Sequence, residues 1–465
     1  MSENSWSENE SNTELDPLSS LLSELSDPEE EEEEFRSDFF QGLAGRRRKA
    51  AFVLISIWSV TIALHLVSWG IWVIVVLSLL LFTHLGRLFL ARPQVISQST
   101  ASVIDLPSFS LLVAAKNEEA VIASLVKMLF AIDYPADKYE VWIVDDRSTD
   151  KTPEILERLS QEYKQLKVLR RPDGAGGGKS GALNQALSLT KGDIVGVFDA
   201  DAKVSQDLLT KLVPVFAPEK IGGVQVRKAI ANASVNFWTQ GQKAEMAIDN
   251  YFQQKRIAIG GIGELRGNGQ FVRRSALNSC GGWNEQTITD DLDLTIRLHL
   301  DHWDIGVLEF PAVGEEGVTT AIALWHQRNR WAEGGYQRYL DYWRFILSNR
   351  LSFNKKLDLM LFFFSQYIIS VAAIPDFLMV IYRHHFPLVA PLTTIVLSFS
   401  FWGMFVGLQR TDKSKKPFLV GLESIRGIIY MLHWFVIMPC ITFRMSIRPK
   451  RLKWVKTIHG NSQDF

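Results

Sequence analysis

Cysteine is nearly absent: the chain holds two, Cys280 and Cys440, and the second lies inside an apolar run. Two such residues cannot build a disulfide framework or a thiolate metal site, so neither explains the fold or the chemistry. A net charge of one sign is missing as well. The formal charge of -1 conceals an acidic head, with Glu29 through Glu34 unbroken, and a basic end at Arg448, Lys450, Arg451, Lys453 and Lys456. That split argues against a nucleic-acid protein and for contact with a membrane surface. There is no internal repeat. A cleavable signal peptide is not expected, because the first apolar run is too long and follows an acidic segment.

Apolar residues are plentiful. At 47% hydrophobic residues, 22% charged residues and a mean hydropathy of +0.04, the composition fits a chain that is part membrane and part globular. Residues 1–45 are poor in aliphatics and read as a disordered acidic tail. Arg46, Arg47, Arg48 and Lys49 then abut an apolar stretch at 50–90, long enough for two spans joined at Ser68 to Gly70. The basic cluster places the N-terminus on the cytosolic side, and Arg87 and Arg92 return the following segment there. The membrane signal reappears at 357–408 as two more spans. Within 420–443 the run at 428–443 is short and flanked by basic residues, so a re-entrant or interfacial helix is expected there, with a third span as the alternative. Residues 444–465 read as a basic cytosolic tail.

Between these runs, residues 105–350 alternate short buried strands with amphipathic helices. "FSLLVAA", "YEVWIVDD" and "DIVGVFDAD" read as strands, and Glu118 to Ala131 and Pro153 to Tyr163 as helices. The expectation is one α/β domain with a mostly parallel sheet.

Its chemistry gathers at strand exits. In an extended chain Asp199 and Asp201 would project to the same side, and paired carboxylates there suit a divalent cation with oxygen ligands, Mg²⁺ or Mn²⁺. Alone, D-x-D is more often a solvated loop. Asp145 and Asp146 end a second strand, and ligands in open α/β sheets bind beyond such ends. Ser148 or Thr149 could cap the next helix. "DGAGGGKSGALNQAL" sets four glycines beside Lys179, with Asn184 on the helix that follows, so that backbone could approach a phosphate and Lys179 add a point charge. It is not a Walker motif, and a flexible loop is its rival. "TITDDLDLTIRL" puts Asp290 and Asp291 at a helix start, where Thr289 and the aspartates would also serve as cap and dipole partners. Gln327, Arg330 and Trp331 fall at i, i+3 and i+4 on one helical face, which suits a diphosphate and a sugar or acyl acceptor. The stripe Tyr336, Tyr339, Leu340, Trp343 and Leu347 reads as a helix lying on the membrane surface. Trp283 and Trp331 suit an acceptor wall or the core equally.

In order, V-D-D, Gly-rich K, D-A-D, T-D-D and Q-R-N-R-W resemble the membrane-bound branch of the inverting family-2 nucleotide-sugar glycosyltransferases. The likeness covers about Pro107 to Trp331 and the flanking spans. One departure is Asp290, where that branch usually has glutamate. Within it, "VRRSALNSCGGWNEQTITDDLDL", "MSIRPKRLKWVKT" and the acidic head resemble a cyanobacterial group that glucosylates lipids. The resemblance implies a GT-A, Rossmann-like fold and transfer of glucose from UDP-glucose, with inversion, to diacylglycerol. It implies donor contacts from Asp145, Asp146, Lys179, Asp199, Gln327, Arg330 and Trp331, metal at Asp199 and Asp201, and Asp291 as base. It further implies a multi-pass protein of the plasma or thylakoid membrane with a cytosolic catalytic domain. The alternatives are a processive β-polysaccharide synthase, another lipid glycosyltransferase and, more remotely, a transporter with a regulatory nucleotide domain.

Overall fold

The structure, a computed structural model, describes residues 45–93 and 106–447. The acidic tail expected before residue 45 and all but the first residues of the basic tail lie outside the described residues. Two apolar helices come first, α1 (Arg46–Leu66) and α2 (Gly70–Leu90). The central domain follows as β1 (Phe109–Ala115), α3 (Ile122–Phe130), β2 (Tyr139–Asp145), α4 (Thr152–Glu162), β3 (Leu166–Arg170), α5 (Gly178–Leu187), β4 (Ile194–Phe198), α6 (Leu208–Leu212), β5 (Ile221–Ile230), α7 (Phe237–Ala258), β6 (Gln270–Arg273), α8 (Arg274–Ser279), α9 (Asp290–Leu300), β7 (Asp304–Glu315) and α10 (Ala321–Leu347). Helices α11 (Phe353–Phe363) and α12 (Ile369–Arg383), joined through a π turn, then α13 (Ala390–Thr411), α14 (Pro417–Met431) and α15 (Trp434–Ile447), close the chain.

The seven strands form one sheet in the order β3-β2-β1-β4-β6-β5-β7. All pairings are parallel except those of β6, which runs antiparallel to β4 and β5. Uniformly apolar strands arise because helices cover both faces. In β1, Phe109, Leu111 and Val113 join α3 and α4 in one core, while Leu112 and Ala114 turn to α5 and α9 in another. The same alternation divides Ile194 and Phe198 from Val195 and Val197 in β4.

Among the described residues, five helical stretches are long and apolar enough to cross a membrane: Arg46–Leu66, Gly70–Leu90, Phe353–Arg383, Ala390–Thr411 and Pro417–Ile447. The last contains the run expected to be re-entrant or interfacial; it breaks at Leu432 and His433 between α14 and α15. Charged contacts pin the bundle to the domain. Arg46 donates to Asp341 at 2.7 and 2.9 Å, and Lys49 to the Leu340 carbonyl at 3.0 Å, so the basic end of α1 abuts α10. The aromatic stripe of α10 is turned inward rather than laid on lipid. Tyr336, Tyr339 and Leu340 are buried against Leu359, Phe363 and Tyr367, and only Trp343 and Leu347 are exposed. Stacking among these rings is what claims the stripe.

Candidate active site

Three segments meet past the carboxyl ends of β1 and β4. At β4 the strand stops at Phe198 and the chain turns, with Ala202 N–H donating to the Asp199 carbonyl at 3.0 Å. Asp199 and Asp201 therefore sit on a turn, not on an extended strand, yet both line one cavity of about 740 Å³. The Gly-rich loop supplies the second segment. Gly177 precedes α5 with φ of 78°, and a Cβ there would lie 2.2 Å from Glu285 Oε2, so the turn requires glycine. It delivers Lys179, whose ammonium donates to Asp199 Oδ1 at 2.5 Å. The third segment is the start of α9, where Asp290 and Asp291 join the same cavity. Gln327, Arg330 and Trp331 complete it from α10.

The electrostatics of this cluster are uneven. Burial pulls the Lys179 ammonium down, but the charges of Asp199, Asp290 and Asp291 outweigh it and hold the lysine above its ordinary range. Burial opposes ionisation of Asp199, and the adjacent Lys179 overcomes it, leaving that carboxyl below its usual value. Asp291 goes the other way: burial first, then the Asp290 charge, push it up to about 6. Its Oδ1 accepts the Leu292 N–H at 2.8 Å, and a Cβ at Gly267 would lie 3.3 Å from its Oδ2.

Other candidate residues take different duties. Asp146 is buried and accepts from Arg171 at 2.8 Å, while the same guanidinium donates to the carbonyls of Gly176 and Gly178 at 2.5 and 3.2 Å. It holds the Gly-rich loop. Asp145 is equally buried; its Oδ1 accepts the Ser148 N–H at 3.0 Å and its buried Oδ2 has no hydrogen-bond partner. Neither lines the large cavity; a second groove, lined by Lys116, Asn117, Arg147, Ser148, Thr149 and Arg170, opens around the loop they begin. Ser148 and Thr149 do not cap α4: Ser148 Oγ accepts from the Asn117 backbone and Thr149 N–H donates to Asn117 Oδ1, stitching two loops together. Thr289 does not cap α9 either, since its hydroxyl is packed on Gly334 of α10. Asn184 bridges to the Trp283 backbone and Glu285, and Trp283 is a core residue.

Lys228 escaped the sequence reading. It lines the cavity, pairs with Glu315 at 2.8 Å and lies 5.4 Å from the Trp331 ring centroid. Arg328 also went unmarked; it is fully buried, bonds to Glu245 at 2.5 Å and lies 4.0 Å from that ring. Lys228 sits beside Arg227 in a strand that is otherwise mostly apolar, and that was the only signal for it.

Asp199 and Asp201 offer a hard cation the carboxylate oxygens it prefers. Among the described residues, no group of three His, Cys, Asp or Glu side chains could enclose a metal ion. Magnesium at nucleotide sites is held by one or two carboxylates and the substrate's own phosphates, so a two-carboxylate set fits it. Asp201 directs Oδ2 to the Glu316 N–H at 3.1 Å, which fixes its orientation.

A family profile described as "Glycosyltransferase like family 2" matches residues 107–334. The chain is 58% identical to a Beta-monoglucosyldiacylglycerol synthase of Synechocystis sp., over 98% of this chain and 96% of that protein. It is 59% identical to one of Trichormus variabilis, over 99% and 100%. The chain belongs to glycosyltransferase family 2. A solved structure, the mannosyltransferase PcManGT from Pyrobaculum calidifontis in complex with GDP-Man and Mn2+, superposes with a TM-score of 0.54 at 19% identity, over 81% of this chain and 99% of that one. The GT-A-like α/β domain and its mostly parallel sheet are thus those expected from the sequence.

Proposed function

We propose that the chain transfers glucose from UDP-glucose to the free hydroxyl of diacylglycerol, with inversion, at the cytosolic face of its membrane. The observation that carries this is the continuity of the large cavity. One wall holds Lys179, Asp199, Asp201 and Asp291, and another holds Leu81, Leu85 and Leu88 of α2 with Val396 and Phe399 of α13. A polar donor and an apolar acceptor can both reach such a space. The two relatives at 58% and 59% identity carry the name of that activity. The apolar wall suits acyl chains better than the hydroxyl-rich face of a growing polysaccharide.

Asp145 Oδ2 accepts from the uracil, and Asp146 keeps the loop in place through Arg171. Asp199 faces the ribose; Asp201 and Asp199 would hold Mg²⁺ or Mn²⁺, which when bound would supply Lewis-acid stabilisation of the diphosphate. Lys179 and Arg330 neutralise the same leaving group. Asp291 accepts the acceptor's hydroxyl proton as that oxygen bonds to the anomeric carbon from the face opposite the diphosphate. The bond from that carbon to UDP breaks, and UDP departs with its electron pair. A carboxylate raised to about 6 is a better base for an alcohol than one at 3.8, and remains ionised near neutral pH. Gln327 and Trp331 frame the sugar and its acceptor. The contact of α10 with the basic end of α1 supports a catalytic domain on the cytosolic side.

The test is to incubate membranes holding the protein with radiolabelled UDP-glucose and, separately, UDP-galactose, with and without added diacylglycerol. Label from UDP-glucose is expected in the chloroform-soluble fraction and to rise with diacylglycerol. Label in an insoluble polymer, or in neither fraction, overturns the reading.

A further inference from the structure

Away from the donor site, the cavity carries a band of buried charge that the reaction above does not use. Arg256 at the end of α7 donates to Asp358 Oδ2 at 2.8 Å and lies 3.5 Å from Glu264. Arg338 donates to Glu264 at 2.9 Å, and Arg266 lies 2.8 Å from Glu264 and 2.6 Å from Asp249. His84 of α2 approaches Asp358 at 3.7 Å. Each guanidinium is thus matched by a carboxylate. All of these residues except Glu264 line the cavity. Arg338 lies two helical turns beyond Trp331 on the same helix, and His84 lies among the apolar residues Leu81, Leu85 and Leu88. The band therefore stands where the catalytic end passes into the membrane end.

Burying so many charges is costly unless every donor is used, and four are not. Arg256 Nη2, Arg266 Nε, Arg338 Nε and His84 Nδ1 have no hydrogen-bond partner, although Arg256 and Arg338 are only 4% exposed and His84 only 6%. We propose that this band is the cradle for the glycerol ester groups of the acceptor, with Arg256 Nη2 and Arg338 Nε donating to its ester carbonyls. Charge matching inside the band explains why the ligand is neutral. Unused N–H groups can bond a carbonyl, but no surplus positive charge is left to compensate a phosphate. Held at the esters, the lipid presents its free hydroxyl toward Asp291 and its chains toward Leu85 and Phe399. This assignment rests on the acceptor reading given under Proposed function.

The test compares a diester diacylglycerol with the corresponding dialkyl ether, which keeps the hydroxyl and chains but lacks both carbonyls, in mixed micelles with UDP-glucose. The wild-type enzyme is expected to show a KM about tenfold higher for the ether, as the loss of hydrogen bonds to a charged donor requires. Arg256→Lys, which keeps the charge beside Asp358 but loses Nη2, is expected to raise KM for the diester by about the same factor. It should leave KM for the ether and the affinity for UDP unchanged. Equal KM values for ester and ether in the wild type overturn the assignment, as does an Arg256→Lys effect that falls alike on both acceptors, the signature of a structural role. Absence of any glucosylated lipid from either acceptor overturns instead the acceptor reading on which it rests.

Discussion

Asp291 carries the sharpest expectation because its environment works against its ionisation. Burial and the neighbouring Asp290 raise its carboxyl from 3.8 to about 6. Only the deprotonated form can accept the acceptor's proton, so kcat/KM should be level above about pH 6 and fall with unit slope below it; a flat profile down to pH 5 would contradict the assignment. The same shift has a stability consequence of fixed sign. A carboxyl whose folded value lies above its unfolded one favours the folded state below about pH 3.8, and that contribution is lost as pH rises through about 6. Asp291→Asn should therefore cut turnover by roughly 10²- to 10⁴-fold, as the loss of a general base does. It should leave UDP binding intact and not lower Tm at pH 7.5. Calorimetry of UDP binding and thermal unfolding check the two halves separately. On the same wall of the cavity, Asp201→Ala should abolish activity together with any effect of Mg²⁺ or Mn²⁺ on UDP affinity; an unchanged response to chelator would take the metal away from this carboxylate. The residues that were legible in the sequence are the ones in short motifs at strand ends, such as Asp199, Asp291 and Arg330. Lys228, Arg256 and Arg338 were not, because each acquires its role only when distant segments close on it.

Among elements, α10 does the most to assemble the site, since it brings Gln327, Arg330 and Trp331 to the cavity and buries Tyr336 and Tyr339 in the bundle. Its position over α9 depends on Gly334, where a Cβ would fall 2.1 Å from Thr289 Oγ1. Gly334→Ala should separate the two helices and cost about 1–3 kcal/mol, the usual price of overpacking. Activity should fall with stability, and Thr289→Ala in the same chain should recover part of both. Denaturant titrations of the two single variants and the double variant measure this; additive losses in the double variant would show that the contact does not couple α9 to α10. The inward turn of α10's aromatic stripe was hidden from sequence for a physical reason. An apolar face at helical spacing packs as readily on other helices as on lipid. Periodicity identifies such a face but not the surface that covers it. The strands β1, β2 and β4 were legible because their runs are continuous and apolar, whereas β5 and β7 carry charges along their lengths and β6 is only four residues long.

At the scale of the whole molecule, the sheet supplies a rigid rim for the polar chemistry, and helices from both ends of the chain supply the apolar wall facing it. Their junction is charged and buried, with Arg256 on Asp358, Arg46 on Asp341, and Arg444 on Glu333 linking domain to bundle. That division was foreshadowed by hydropathy, but the joining of two regions into one cavity depends on tertiary packing that no local pattern records. The central claim is that donor and lipid acceptor share this cavity. Its most direct measurement is photocrosslinking with a diacylglycerol that carries a diazirine within one acyl chain, followed by mass spectrometry of the labelled peptides. The account predicts adducts on α2 around Leu85 and on α13 around Val396 and Phe399, suppressed by excess unlabelled diacylglycerol. Adducts confined to exposed outer positions such as Leu79 and Trp402, undiminished by that competitor, would contradict it.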